Sequence, residues 1–449
     1  MNDKITWRLE NEKIGPLLMS YAIPAVIGTM VNALYHIINR AFIGQVVGPL
    51  AISGLTLTFP ILMFLQAFGM LVGAGASARV SIHMGRKNNS RAENVLGNAF
   101  TLIVLVNIFT ITLSLMFMDD LLIMFGGSEQ TIPFAKEYLH ISIPGNILAS
   151  ISFGLNAVMR ACGYPRKAMN IMVFGSVVNV ALDYLFVFVM DFGIQGAAYA
   201  TIIAMSMTSV LVLAHFFDKS SVLRFRKEYL KLDKTIVWNI FTIGMSPFAM
   251  QLAGSFVNVV MNNSLKEYGG DLAIGANGII NSYGLLIVML ILGISQGMQP
   301  IVGFNQGAGN MQRVYRTLKL VIIVGTIITT IGSLCCLFIP HYIVRAFTYD
   351  EELLAISANG LRICLSAGLI VGSQIVISQF FQSIGFAWKA MFLTLSRQCL
   401  FLIPAILTFP NHFGLDGIWM AMPFSDIISA ITAWSLLLFH IKKKRSPQN

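Results

Sequence analysis

An all-α integral membrane fold, with twelve transmembrane helices in two pseudo-symmetric six-helix bundles, is predicted by three features of this chain. It is 56% hydrophobic and only 11% charged, whereas a soluble domain carries about 25% charged residues. Its apolar residues fall in stretches of roughly 20 or more, enough for a helix to cross about 30 Å of hydrocarbon. The pattern of punctuating residues in the first half returns in the second.

The apolar stretches place spans at 16–40, 50–77, 95–117, 136–160, 167–190 and 194–217, then at 236–262, 272–301, 315–340, 355–383, 388–410 and 415–441. Backbone groups in lipid must be satisfied within the segment, so these are helices rather than open strands. The short alternating segments of a membrane barrel are missing from the sequence. The first apolar run is too long for a cleaved leader and reads as a retained helix.

Charge supplies an orientation. Of the 30 Lys and Arg residues, all but Arg40, Lys136, Lys266, Arg345 and Arg362 lie in or next to alternate connections and the two termini. The positive-inside rule therefore predicts that both termini are cytoplasmic. The net charge of +10 is thus a matter of topology and lipid contact, not nucleic acid. The five cysteines, Cys162, Cys335, Cys336, Cys364 and Cys399, lie in or beside apolar segments without metal-ligand spacing and read as packing residues.

A shift of about 222 residues superimposes the two halves. Pro24 meets Pro247, Gly85 meets Gly307, Arg91 meets Arg313, Phe125 meets Phe347, Gly163 meets Gly385, and Lys167-Ala168-Met169 meets Lys389-Ala390-Met391. An even number of helices per half makes the repeats parallel, related by an axis along the membrane normal. The expected units are an amino-terminal lobe, 1–217, a basic cytoplasmic linker, 218–235, and a carboxy-terminal lobe, 236–449. Two such lobes can rock about a central cleft, the mechanics of a transporter. Pro24 and Pro247 are the hinge candidates. No G-x-x-x-x-G-K-[ST] sequence occurs, so the expected energy source is an ion gradient or a partner.

Ionisable groups at membrane depth are costly and mark function. Asp183, in "SVVNVALDYLFVF", is the clearest, with Asn179 one turn earlier on the same face. The chain turns back at 191–193, which brings Thr201 of the next helix to a similar depth, roughly 12–15 Å below the outer rim. Asn39, one turn after Tyr35 in the first helix, is placed to join them. A carboxylate, an amide and a hydroxyl suit a small hard cation, and a desolvated carboxyl suits a proton. The alternative is a buried helix-pairing network, which is also the simpler reading of His36. Asp426, three residues after Pro423, is a second intramembrane acid in the lobe that also holds Arg397; a structural Asp–Arg or Asp–water pair and a relay role both stand open for it. The repeat partner of Asp183 is Ala405, so the second lobe does not copy the first site. Tyr35, Phe153, Asn156, Met289 and Gln374 are candidates for the substrate cleft.

The sequence resembles the multidrug and toxic compound extrusion (MATE) family over essentially its whole length. The resemblance rests on "IPAVIGTMVNALYHIINRAFIG", on "HMGRKN", on "RACGYPRKAM" and on "VVNVALDYLFVF…GIQGAAYATIIA", and it is nearest to the MepA-type bacterial branch. It implies a V-shaped pair of lobes in a bacterial inner membrane. It implies a secondary antiporter that exports amphipathic, cationic organic compounds in exchange for Na+ or H+, works as a monomer and needs no cofactor. The family's cation site falls on Asn179, Asp183 and Thr201. Asn39 stands where many members carry a further Asp, which leaves Asp183 as the sole acid there. Asp426 falls on a position that is often acidic in this branch.

Three rivals are weighed against that reading. A lipid or polysaccharide-precursor flippase would place several basic residues inside its cleft, and here they sit mainly at helix ends. A membrane-embedded enzyme would cluster catalytic groups, yet Asp183 and Asp426 lie in different halves. A channel does not explain the duplicated lobes.

Overall fold

The computed structural model describes residues 2–46, 49–125 and 127–445; the side chains of 2–4, 33, 35–46, 49–54, 56, 271, 444 and 445 lie outside that description. Every regular element among the described residues is helical. The order is α1 (Asn2–Asn11), α2 (Ile14–Val46), α3 (Pro49–Gly85), α4 (Asn89–Met116), α5 (Met118–Met124), α6 (Ile132–Ala161), α7 (Pro165–Asp183) and α8 (Gly193–Phe217). After a 3-10 turn at Lys227–Leu230 come α9 (Lys234–Gly307), α10 (Met311–Phe338), α11 (Pro340–Arg345), α12 (Glu351–Cys364), α13 (Gly368–Ser383), α14 (Ala387–Leu395), α15 (Ile403–Thr408) and α16 (Pro410–Arg445).

Among the described residues, eleven helical segments are long and apolar enough to cross a membrane, and the pair α12 and α13, taken as one span, makes a twelfth. That pair refines the expected span 355–383. Instead of one helix, the two are bent by 60° at residues 365–367, where the Leu365 carbonyl is taken by the Ser333 hydroxyl of α10. The same carbonyl accepts from the Gly368 N–H (3.1 Å), so backbone and a neighbouring helix's hydroxyl together serve it, which is the condition for irregular backbone at membrane depth. α9 holds two spans, Lys234–Gly270 and Leu272–Gly307, turned against each other at Gly270.

The duplication is visible in backbone and caps. Left-handed φ values recur as Lys87 (57°) with Gly309 (78°), Gly163 (96°) with Gly385 (81°), and Gly193 (55°) with Gly414 (58°). The Asn88 side chain caps α4 at the Arg91 N–H (3.0 Å), and Asn310 caps α10 at the Arg313 N–H (3.3 Å). Lys167 meets His215 (3.1 Å) as Lys389 meets His440 (3.4 Å).

Apolar packing defines the V. One core takes in the terminus-bearing ends of both bundles, from Leu17, Val80, Met84, Leu96 and Phe216 to Ile240, Phe304, Phe380 and Leu437. At the opposite end the cores separate. Met261, Leu265, Leu361, Ile406 and Trp419 form one in the carboxy bundle. Ile61, Leu65, Leu122, Leu139 and Val187 belong to two in the amino bundle. Among the described residues, the bundles thus share a core at the apex, the face that carries the termini.

At the apex α3 and the second span of α9 cross backbone to backbone. Gly85 lies against the Phe304 carbonyl, and its repeat mate Gly307 lies against the Ile82 carbonyl, so a Cβ at either glycine would enter an oxygen. Polar bridges flank the crossing: Gln299 Nε2 donates to Ser77 Oγ (3.0 Å) and Arg79 Nη2 to Asn239 Oδ1 (2.5 Å). Substituting Gly85→Ala or Gly307→Ala is therefore expected to destabilise the protein by ~1–3 kcal/mol, as overpacking does. Thermal unfolding in detergent checks this: each variant should melt lower than the parent, and an unchanged melting temperature for both would contradict the crossing.

Candidate functional site

The candidate site is built where α7 ends and α8 returns. From Tyr184 to Val189 the helix is π-wound, a local widening that often accompanies function. The Asp183 side chain, on the last α-helical turn before it, is wholly buried, and Asn179 one turn earlier is 1% exposed. Thr201 approaches from α8, about 12 Å from that helix's first residue at 1.5 Å per residue.

The three side chains meet. With its amide turned to suit both neighbours, Asn179 donates from nitrogen to Asp183 Oδ2 (3.1 Å), and its oxygen accepts from the Thr201 N–H (3.2 Å) and hydroxyl (3.3 Å). The same hydroxyl lies 2.9 Å from the Ala197 carbonyl, and its single proton serves one acceptor at a time. With the proton on Ala197, Thr201 Oγ1 instead accepts from the Asn179 nitrogen (3.3 Å). The amide orientation and the hydroxyl proton are therefore linked. Asp183 Oδ1 is buried and has no hydrogen-bond partner among the described residues. An acceptor so placed carries a desolvation cost that a proton or a cation would relieve.

Asn179 and Thr201 also line a cavity of about 180 Å³ enclosed by α2, α3, α6, α7 and α8. Phe153 and Asn156 line it too, although the Asn156 amide is engaged, donating to the Ala168 carbonyl (2.9 Å) and accepting from Arg160 Nη1 (2.5 Å). Polar residues not singled out from sequence line it as well, among them Asn32, Gln66, Ser142, Asn146 and Ser150. Asn146 and Ser150 both bond Asn107 Oδ1 from α4, at 3.0 and 2.9 Å, and Ser142 Oγ has no partner among the described residues. The i, i+4 spacing of 142, 146 and 150 on one face of α6 was the available signal. Serine and asparagine are ordinary in membrane helices, which hid it.

The other candidates are dispersed. Tyr35, His36 and Asn39 lie on α2, but their side chains lie outside the described residues. Met289 is half-buried in the second span of α9, and Gln374 is buried in α13. Pro24 and Pro247 sit inside α2 and α9. Asp426 of α16 is paired: Arg397 Nε donates to its Oδ1 at 2.7 Å. Arg397 sits on a second π-wound stretch, Ser396–Leu402. No group of three or more His, Cys, Asp or Glu side chains placed to hold a metal occurs among the described residues.

A polytopic helical membrane protein of two like bundles, one with a cavity beside a buried acid that no described basic side chain pairs, is the class this fold and site define. Comparison with known proteins gives the family. The MatE family model matches twice, over residues 24–185 and 247–407, and the chain belongs to this family of membrane transporters. A multidrug export protein MepA from Staphylococcus haemolyticus is 26% identical over 433 residues, covering 96% of this chain and 95% of that protein. A multidrug resistance MATE family transporter of the MOP superfamily, solved in an outward-facing conformation, superposes with a TM-score of 0.93 at 22% identity, over 98% of each chain. A MOP superfamily transporter from Pyrococcus furiosus, described as having a binding pocket of reverse polarity that suggests a different function, gives 0.92 at 22% identity over 98% of each. The two structures share the fold with this chain.

The Arg397–Asp426 pair generates a prediction. Removing one partner of a buried pair strands the other, while replacing both with apolar residues does not. Asp426→Asn is expected to destabilise by about 2 kcal/mol, less than for a fully buried pair because Arg397 stays part-exposed. The double variant Arg397→Met, Asp426→Leu should unfold close to the parent temperature. Equal losses in the single and double variants would contradict a paired role.

Proposed function

We propose that the protein is a secondary antiporter of the plasma membrane that exports amphipathic, cationic organic compounds in exchange for Na+ or H+. The ion binds at Asp183, assisted by Asn179, Thr201 and Asn39. The observation that carries this reading is the Asp183 Oδ1, without a hydrogen-bond partner among the described residues, behind an amide that borders a cavity.

The chemistry follows from the Asn179 amide. When Asp183 is a bare carboxylate, the amide presents its nitrogen to it. When Asp183 holds a proton, or a cation lies against it, the amide presents its oxygen instead, and the Thr201 hydroxyl turns to Ala197. Ion loading is thereby transmitted to α8. It also reaches α2, because α7 packs along that helix, with Met172 against Gly28 one turn beyond Pro24. Bending of α2 at Pro24, with Pro247 as its counterpart, alters the cleft. Ion and substrate need only differ in affinity between the conformations to be coupled.

In this reading the lobes are 1–217 and 236–449, the basic segment 218–235 joins them on the cytoplasmic side, and the termini are cytoplasmic. The unit is a monomer without a cofactor. Asp426, held by Arg397, supports the carboxy lobe rather than ion exchange.

Purified protein in liposomes, a fluorescent organic cation, and Na+ and pH gradients imposed separately test the assignment. The parent should extrude the cation under one of the two gradients. Asp183→Asn should reduce that efflux at least tenfold, a loss of about 1.4 kcal/mol or more in driving or barrier terms, while inserting and melting like the parent. Parent rates in this variant would overturn the role of Asp183.

A further inference from the structure

We propose that the amino-terminal helix α1 is a latch that holds the apex of the V shut by clipping the amino bundle to the carboxy bundle. α1 leads directly into α2 and so belongs by connectivity to the amino bundle. It is seated there as well: Arg8 pairs with Glu12 (2.6 Å) and donates to Ser20 of α2 (3.3 Å), and Ile5 packs against Gly163 at the α6–α7 turn. A Cβ at Gly163 would collide with that isoleucine, so the fit is close.

The other end of α1 is held by the carboxy bundle. Arg313 Nη2 of α10 donates to the Leu9 carbonyl (3.2 Å) and to the Glu12 carbonyl (2.8 Å). Asn305 Nδ2 of α9 donates to the Leu9 carbonyl as well (3.1 Å). The last carbonyls of a helix have no partner within it, and that end of the helix dipole is negative. A guanidinium from another bundle serves both needs. The Leu9 side chain is wholly buried in the core the two bundles share. The helix is thus capped only while the apex is closed. Separation of the bundles at this face breaks three hydrogen bonds, two of them charge-assisted, and draws Leu9 out of its core.

The repeat sharpens the point. Arg91 is the repeat mate of Arg313, and its guanidinium contacts Asp233 (3.4 Å), the residue that caps α9 at the Thr235 and Ile236 N–H groups. One arginine of the duplicated pair fixes the segment between the bundles. The other fixes the segment before the first bundle. The latch biases the conformational equilibrium and touches neither ion nor substrate.

The proposal rests on the rocking of the two bundles described above, and its test separates the two claims. Full-length protein in lipid nanodiscs, with its five native cysteines replaced by Ala, carries spin labels at Arg86→Cys and Gln312→Cys, one on each bundle at the apex. Pulsed dipolar spectroscopy reads the ratio of long to short distances. Arg313→Gln, through the loss of hydrogen bonds to a charged group, and Leu9→Asp, through a charge placed in the shared apolar core, should each raise that ratio about tenfold. The two together should do no more than either alone. Where Leu9→Asp does not insert, Asn305→Ala takes its place. An unchanged ratio in the single variants, or effects that add in the double variant, overturns the latch. If the parent's ratio still responds to an added organic cation, rocking stands without the latch. A single distance in the parent and in every variant overturns both.

Discussion

A carboxylate removed from water is the constraint around which the amino bundle is arranged. Burying Asp183 without compensation is expensive, and the surroundings offset only part of the cost. One oxygen receives the Asn179 amide, while the other is bare among the described residues. No basic side chain among the described residues is bonded to the carboxylate, in contrast to Asp426, which Arg397 holds at 2.7 Å. The two intramembrane acids therefore differ in kind. Asp426 is bonded to a cation that the chain supplies, whereas Asp183 has none among the described residues; in the proposed mechanism an ion from outside takes that place. The π-wound turn that follows Asp183 and the return of α8 at Gly193 set Thr201 at the depth where the amide can reach it.

The shape of the molecule gives that local asymmetry a mechanical consequence. The bundles share apolar packing at the apex and part company beyond it. Backbone contact at Gly85 and Gly307 makes the apex either tightly closed or separated, with little room for partial opening, as expected of close-packed interiors. A change at Asn179 is small, but α7 lies along α2, and α2 meets the second span of α9 where Gly297 abuts Ala22 and Gly293 abuts Val26. Displacement of α2 is therefore felt at the junction of the bundles.

Much of this was legible in the sequence because membrane solvent imposes strong rules. Apolar length marked the spans, and the constant offset from Pro24–Pro247 to Lys167–Lys389 marked the duplication, which the recurrence of left-handed residues at 87/309, 163/385 and 193/414 bears out. The convergence of Asn179, Asp183 and Thr201 followed from helix rise and one tight turn. Other features left no comparable mark. The 355–383 stretch holds no proline to mark an interruption, and hydropathy does not register the serine of α10 that meets the Leu365 carbonyl at its 60° bend. The π-wound turns at 184–189 and 396–402 alter hydrogen bonding without altering composition. α1 is short and polar, and its place is set by Arg313, some three hundred residues away. The neutral cavity is made of serines and asparagines that, one at a time, read as helix-pairing groups.

The central claim is that ion and substrate exchange for one another through the buried Asp183 carboxylate. Ion release on substrate binding tests it most directly. Detergent-solubilised protein in weakly buffered solution, first loaded with Na+ or at a pH that protonates the site, is titrated with an organic cation while pH and free Na+ are followed. The account predicts that binding expels one of the two ions from the parent and neither from Asp183→Asn. Substrate binding that releases no ion from the parent, or releases it equally from the variant, would contradict it.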